Sequence, residues 1–412
     1  MAVNFLTNRE VSDLCLGKPP LKWVPAGASV SEALSALKRS GDSHVSVWSC
    51  SSDHSSSSSK SSSGFDDHNF VGNQSSDCQC VGKICVVDVI CFLCKEENLA
   101  DPFKALEAPV SEVLPKSHPL FVKHLEPNSS LLEAIDYILD GVQNLVIPIE
   151  SYTTRNSRKK VNKPLSFTHH NGREYCWLTE EDVVRFILNS IGVFSPIPTY
   201  TIESLNMIDR NIMAVHYNEA ASSVLPLILR AHVEQTSVAV IDENKLLVGE
   251  ISPSTLALCD ETVAAAITTL SAGDLLAYID CCGPPEELVQ LVKMRLAEKN
   301  LEGLLDLLEE YSVSSPSASS SCSSDDESVG SRYSGSGRYS FARRSEAIVC
   351  HPWSSLVAVM IQALAHRVSC VWVIGEDQTV VGNVTFQSML KVFRGVSSVL
   401  PCKMEHANSS IQ

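Results

Sequence analysis

Four stretches of this chain run from a short apolar strand directly into a helix: VGKICVVD from Val81, EYCWLTEED from Glu174, VGEISPST from Val248 and VGNVTFQS from Val381. Each is preceded by the same parts, a helix of spaced apolar residues and then a β-rich strand. A unit of this kind cannot bury its apolar face alone. Repetition therefore restricts the fold to small similar units stacked on one another.

The first unit opens with a helix at Ser29 to Lys38, capped by Ser29, with Val30, Ala33, Leu34 and Leu37 on one face. His44 to Trp48 alternates as a half-buried strand, and a Ser-dominated insert, 49–79, precedes the strand resuming at Cys80. In the second unit, Ser129 to Leu139 is expected to be helical with Leu132, Ile135 and Leu139 inward. Leu145 to Ile149 is its strand, and a loop over 151–173 carries the basic run Arg155 to Lys163. The third unit has Ala220 to Ala231 as helix and Ser237 to Asp242 as strand; the fourth has Trp353 to His366 and Cys370 to Ile374.

The junction chemistry is clearest in the second unit. Thr179 can cap the helix that follows, and Asp182 stands where a reciprocal carboxylate belongs. A helix start also offers free amides to a phosphate, and a carboxylate one turn in can accept from a sugar's hydroxyls. Capping alone accounts for both residues; the reuse of the junction is what brings a ligand into consideration.

Between the third and fourth units, an insert over 284–344 begins PPEELVQLVKMRLAEKNLEGLLDLLEEY. Leu288, Leu291, Val292 and Met294 to Leu296 suggest one apolar face, and Leu301, Leu304, Leu305 and Leu308 a second, with a break at Asn300. The pair is expected to pack on its own domain, with a partner-binding role as the sharper alternative. Ser312 to Arg344 is polar and Ser-rich, and expected to be disordered. Ser324, before acidic residues, and Ser345, after two arginines, sit in kinase-accessible contexts.

The formal charge of −16 and a pI near 5.2 argue against nucleic-acid and anionic-membrane partners. No apolar run is long enough to span a bilayer, and no secretory or transit segment is evident. The 15 cysteines, many within apolar runs, fit a reducing compartment. The expectation is a cytoplasmic protein, with the basic loop as a weak nuclear signal.

The order Val-Gly-x-hydrophobic, a hydroxyl residue, then Asp three further on resembles the ligand signature of the cystathionine β-synthase (CBS) domain. The likeness covers about residues 10 to 398 apart from the inserts. The opening VSDLCLGKPPL, four units and a Ser-rich insert in the first are similar to a plant group within that family. The resemblance implies an α/β fold of four β-α-β-β-α repeats, paired into two pseudo-twofold Bateman modules. The first would span 10–205, with repeats at about 11–95 and 109–190; the second would span 206–398, with repeats at about 206–280 and 345–398.

It also implies a non-enzymatic regulator that binds an adenosine-type ligand (AMP, ADP, ATP or S-adenosylmethionine) and modulates a protein partner. A kinase complex and a thioredoxin-type enzyme are the partner classes it suggests, and a homodimer is admitted. Carried over by residue, Thr179 and Asp182 match in the second unit, where Cys176 replaces the usual Gly. Gly82 and Asp88 match in the first, with Cys85 at the hydroxyl position. Gly249 and Ser252 match in the third and Gly382 and Thr385 in the fourth, with Thr255 and Ser388 in place of Asp. On this count the first module is the better sensor.

Two alternatives stay open: a ligand-free scaffold acting through the inserts, and a redox protein using Cys91 and Cys94, which have C-x-x-C spacing. Cys78 and Cys80 with Cys91 and Cys94 also spell a zinc-like pattern, but one pair starts a strand and the other lies in a helix, so convergence is not expected. His169-His170, in a polar loop, is expected to face water. No nucleophile-base arrangement or nucleotide-loop motif is present.

Overall fold

The computed structural model describes residues 2–50, 78–114, 122–149, 170–280, 284–314 and 347–399. Each unit builds a three-stranded sheet. The first holds β1 (Trp23–Pro25), β2 (His44–Cys50) and β3 (Cys78–Cys85), and the second β4 (Val122–His124), β5 (Asn144–Ile149) and β6 (Glu174–Leu178). The third holds β7 (Ala214–His216), β8 (Val238–Ile241) and β9 (Leu247–Ile251), and the fourth β10 (Val349–Cys350), β11 (Cys370–Ile374) and β12 (Val380–Thr385).

In every sheet the first pair is parallel and the second antiparallel. A parallel pair requires a crossover, and the helices Val30–Ser40, Leu131–Leu139, Ala221–Glu234 and Leu356–His366 supply it. The opening strand of each unit has only two or three residues. That is too short to carry an alternation, so the hydrophobic pattern alone does not reveal it.

The four sheets share one register. Val47 faces Gly82, Ile147 faces Cys176, Val240 faces Gly249 and Val373 faces Gly382. In the three units that keep the glycine, the pairing skips the preceding valine (Val81, Val248 or Val381), a β-bulge. In the second unit, where Cys176 replaces glycine, the pairing runs through Tyr175 without a skip. The Val-Gly pair is thus a bulge signal: the valine is the extra residue, and the glycine lets another segment approach closely. A Cβ on Gly82 would lie 2.9 Å from the Leu114 side chain, and one on Gly382 would lie 2.5 Å from the Asp209 carbonyl oxygen.

Side chains from the first two sheets meet in an aromatic cluster of Trp48, Tyr175 and Trp177 with Val146. The third and fourth sheets meet around Ala239, Cys370 and Trp372, whose indole donates to the Glu250 carboxylate at 2.6 Å. The helices pair the other way. Those of the first unit share a core with the third (Leu34, Ile90, Val224, Ile228), and those of the second with the fourth (Ile135, Val184, Met360, Phe393). Sheets join one to two and three to four, while helices join one to three and two to four.

Connecting segments cross between units. Glu10 bridges Ser130, Thr201 bridges Ser355, Pro109 bridges Ser29 and Ser271 bridges Ala220, each at the residue before a crossover helix. The N-terminal segment therefore completes the second unit, placing Leu6, Val11 and Cys15 in that core.

Several expectations are corrected. In the second unit the buried face is Leu131, Ala134, Ile135 and Ile138; Leu132 and Leu139 are half-buried, because the helix begins after the cap at Ser130. The insert helices are Glu286–Glu298 and Glu302–Ser314, parted at Asn300, which has φ of +54°. Val292, Leu296, Leu304, Leu307 and Leu308 enter the core shared by the first and third units, but Met294 is 52% exposed. Strands β2 and β3 reach Cys50 and Cys78, so the Ser-rich insert is shorter than its composition suggests. That insert, the basic run Arg155 to Lys163, Ser324 and Ser345 lie outside the described residues.

Candidate functional site

The four junctions are built alike and filled differently. In the second, the Thr179 amide donates to Asp182 Oδ2 at 2.8 Å and the Asp182 amide to Thr179 Oγ1 at 3.3 Å, a capping box with Asp as its carboxylate. The Thr179 hydroxyl donates to the same carboxylate at 2.6 Å. The Lys18 ammonium then donates to Asp182 and, at 2.7 Å, to the Trp177 carbonyl. Both groups expected to meet a ligand are satisfied from within the chain.

In the first junction the Cys85 amide donates to Asp88 Oδ2 at 2.7 Å. Asp88 Oδ1 lies 3.1 Å from Nε2 of His232, on the crossover helix of the third unit, and Cys85 Sγ is 3.7 Å from the same nitrogen. Burial disfavours the charged imidazole, but the neighbouring Asp88 and Cys85 outweigh it and carry His232 up to about 10. Burial likewise works against the Asp88 carboxylate, yet His232 and Cys85 hold it below the usual range. His44, close by, is pushed down to about 3 by burial and by Lys83.

In the third junction the Ser252 hydroxyl accepts from the Ser254 amide at 3.2 Å, Thr255 is buried, and the helix is a single turn. Gly249, within β9, is buried.

The fourth junction differs. Thr385 lies on the wall of a cavity of about 330 Å³, within the size range of small-molecule sites. Ile138, Gly141 to Gln143 and Glu180 come from the second unit, Met213 and Val233 to Thr236 from the third, Asn383, Thr385 and Gln387 from the fourth, and Asp209 and Asn211 from the connection. Asn383 exchanges backbone hydrogen bonds with Asp209, both 2.9 Å. Asn383 is 4% exposed, and its Oδ1 is buried without a partner. A buried amide oxygen without a donor costs about 1–3 kcal/mol. No lining side chain is basic, whereas Glu180, Asp209 and Glu234 are acidic. Burial raises Glu180 to about 7 against the pull of Lys83 and Lys391.

Asp209 and Lys18 are counterparts. Each lies eight residues beyond the residue that bridges to its crossover helix, Thr201 or Glu10. At the second junction this position sends an ammonium onto the carboxylate; at the fourth it borders open space. The sequence reading did not find Lys18, His232, Asp209 or Asn383. The equal spacing of Lys18 and Asp209 from their bridges was the available signal, but the bridges themselves are tertiary.

The redox alternative is overturned. Cys91 and Cys94 face the core from the helix Val86–Leu93 and its cap, Cys91 being 2% exposed. Burial pushes the Cys94 thiol up to about 12 and Cys91 well above its ordinary value, the opposite of what a reactive thiolate needs. The zinc-like pattern is not assembled either. Among the described residues, the clusters of metal-type ligands are Cys85, Asp88 and His232, and Cys50, Cys78 and His170. His170, expected in water, is buried and stacked on Trp48.

Units of this topology, paired through their sheets with a strand-to-helix junction in each, define a CBS-domain protein with two paired modules. The chain belongs to the CBS domain-containing protein family: it is 46% identical over 410 residues to CBS domain-containing protein CBSX5 of Arabidopsis thaliana, covering 96% of this chain and 98% of that one. It is 26% identical over 419 residues to CBSX6 of the same plant, covering 92% of each. A SNF1-related protein kinase regulatory subunit gamma-like protein, PV42b, also from Arabidopsis thaliana, is 19% identical over 331 residues, covering 77% of this chain and 76% of that one. Among solved structures, protein MJ1225 of Methanocaldococcus jannaschii shares the fold, with a TM-score of 0.51 at 15% identity over 93% of this chain and 100% of that one. No family model matches the chain. Among the described residues no helix is long and apolar enough to cross a membrane.

Proposed function

We propose that this protein is a non-catalytic regulator whose fourth junction binds an adenosine-type ligand and passes its occupancy to a protein partner. The observation that carries the reading is the polar cavity of about 330 Å³ whose wall brings Thr385 and Asn383 together. Asn383 Oδ1 is buried without a partner, and a rotation of that amide would bring it to an adenine or ribose donor. The acidic lining selects against polyphosphate. A like-charge approach in a partly desolvated site is costly, so S-adenosylmethionine, with its cationic sulfonium and amine, is favoured over ATP.

The walls come from three units and both modules, so an occupant binds most tightly to one relative placement of the modules. Ligand then shifts that placement by its differential affinity, which is all a regulatory module requires. The relative named as a kinase regulatory subunit makes a kinase the first partner class to test.

Titration calorimetry of the full chain with S-adenosylmethionine and ATP tests this. The expected result is heat with the former that Thr385→Val and Asn383→Leu each weaken about tenfold or more, as losing a hydrogen bond to a charged or buried group does, while Asp182→Ala leaves it unchanged. Heat lost in Asp182→Ala but kept in Thr385→Val would move the site to the second junction. No heat with either ligand would favour the ligand-free scaffold, a reading that the internally satisfied junctions at Asp182 and Asp88 support.

A further inference from the structure

Cys50 closes β2, Cys78 opens β3, and the two are cross-strand partners in the antiparallel pair. His170 follows the basic loop of the second unit. Its Nδ1 lies 3.6 Å from Cys50 Sγ, and one ligand atom from each of the three residues falls within 4.8 Å of the others. Tetrahedral zinc with ordinary bond lengths separates a thiolate sulfur from an imidazole nitrogen by roughly 3.5 Å. The Cys50–His170 spacing already matches that separation, and Cys78 lies within reach of both.

The arrangement is held by contacts outside the three ligands. The His170 ring stacks on Trp48, with centroids 3.8 Å apart and planes 2° from parallel, and meets Trp23 edge-on at 4.5 Å. The Asn171 side chain accepts from the Cys78 amide at 3.1 Å and donates to the Cys78 carbonyl at 3.0 Å. Asn171 itself sits at φ +54°, in the short turn where His170 and Arg173 bridge. Ring and strand end are thus fixed relative to one another before any ion arrives, which reduces the ordering cost of binding. Cys50 and Cys78 are half-buried.

We propose that Cys50, Cys78 and His170 form a site for a divalent, thiolate-accepting metal ion of the zinc type, with solvent in the fourth position. The site lies away from the fourth junction and does not depend on the ligand reading above. On binding, each thiol releases its proton to solvent, the two thiolates and the neutral imidazole displace waters of the hydrated ion as two sulfur–metal bonds and one nitrogen–metal bond form, and no electron is transferred. The ion would join the first unit's sheet to the second unit's loop. The cysteine spacing in sequence gave no sign of it, because two ligands flank one insert and the third follows another.

The test is titration of the reduced full-length protein with Co²⁺ and then Zn²⁺. The expected result is one equivalent of Co²⁺ showing a thiolate-to-metal charge-transfer band, displaced by Zn²⁺. Cys50→Ser, Cys78→Ser and His170→Gln should each weaken binding beyond the roughly 10- to 100-fold typical of losses outside the direct ligands. Cys80→Ser and Cys85→Ser should keep both band and stoichiometry. Should His170→Gln fail to fold, as circular dichroism would reveal, the two cysteine variants at half-buried strand ends still decide the matter. Absence of the charge-transfer band, or a band that survives Cys78→Ser or disappears in Cys85→Ser, overturns the proposal.

Discussion

Asp88 Oδ1 and His232 Nε2 lie 3.1 Å apart, on helices of the first and third units, so the two modules are pinned by an ion pair. Burial opposes the imidazolium, but Asp88 and Cys85 raise His232 to about 10. A histidine raised above its unfolded value near 6.5 contributes stability that is full below that value and lost as pH rises through about 10. Asp88, held low, loses its contribution only on acidification. His44, pushed to about 3, is neutral throughout this window, and Lys83, lowered by burial, slopes the opposite way. The comparison must therefore be wild type against His232→Gln. Urea unfolding should show the variant less stable by about 1.5–3 kcal/mol near pH 6.5, with the gap closing towards pH 10. A gap that is the same at both pH values would remove the ion pair from the argument.

Glu180 gives a second pH dependence, this time through the cavity. Burial raises it to about 7, with Lys83 and Lys391 opposing. A raised carboxyl contributes stability present below about 4.5 and lost as pH rises through about 7. Glu180→Gln should therefore melt higher than wild type at pH 8 and alike at pH 4. Because Glu180 lines the cavity, affinity for S-adenosylmethionine should rise as pH passes through about 7 in the wild type and stay flat in the variant. Calorimetry across that range, with the melting curves, checks both halves.

Gly382 has no room for a side chain. A Cβ there would lie 2.4 Å from Ile208 Cγ2 and 2.5 Å from the Asp209 carbonyl oxygen. The second contact is backbone, fixed by the paired 2.9 Å hydrogen bonds between Asp209 and Asn383. Gly382→Ala should cost about 1–3 kcal/mol, as overpacking does. Gly82→Ala meets only the Leu114 side chain, at 2.9 Å, and should cost less. Thermal unfolding of the two variants side by side distinguishes them; equal losses would show that the backbone contact is not what demands glycine.

The local code was legible because it is local. Ser29 with Glu32, and Thr179 with Asp182, cap helices using neighbours three residues away. The Val-Gly pairs mark the junction strand in three units, and Asn300 marks the break between the insert helices. Apolar spacing, caps and glycines thus determined the number of units, their order and the sites of their junctions. They could not determine what each junction faces. Lys18 reaches Asp182 across 164 positions and His232 reaches Asp88 across 144. Cys50, Cys78 and His170 converge only once two sheets are face to face. A polar residue at a helix start has the same local chemistry whether a lysine, a histidine or open space stands opposite, so only packing between distant units decided which junctions closed and which remained a cavity.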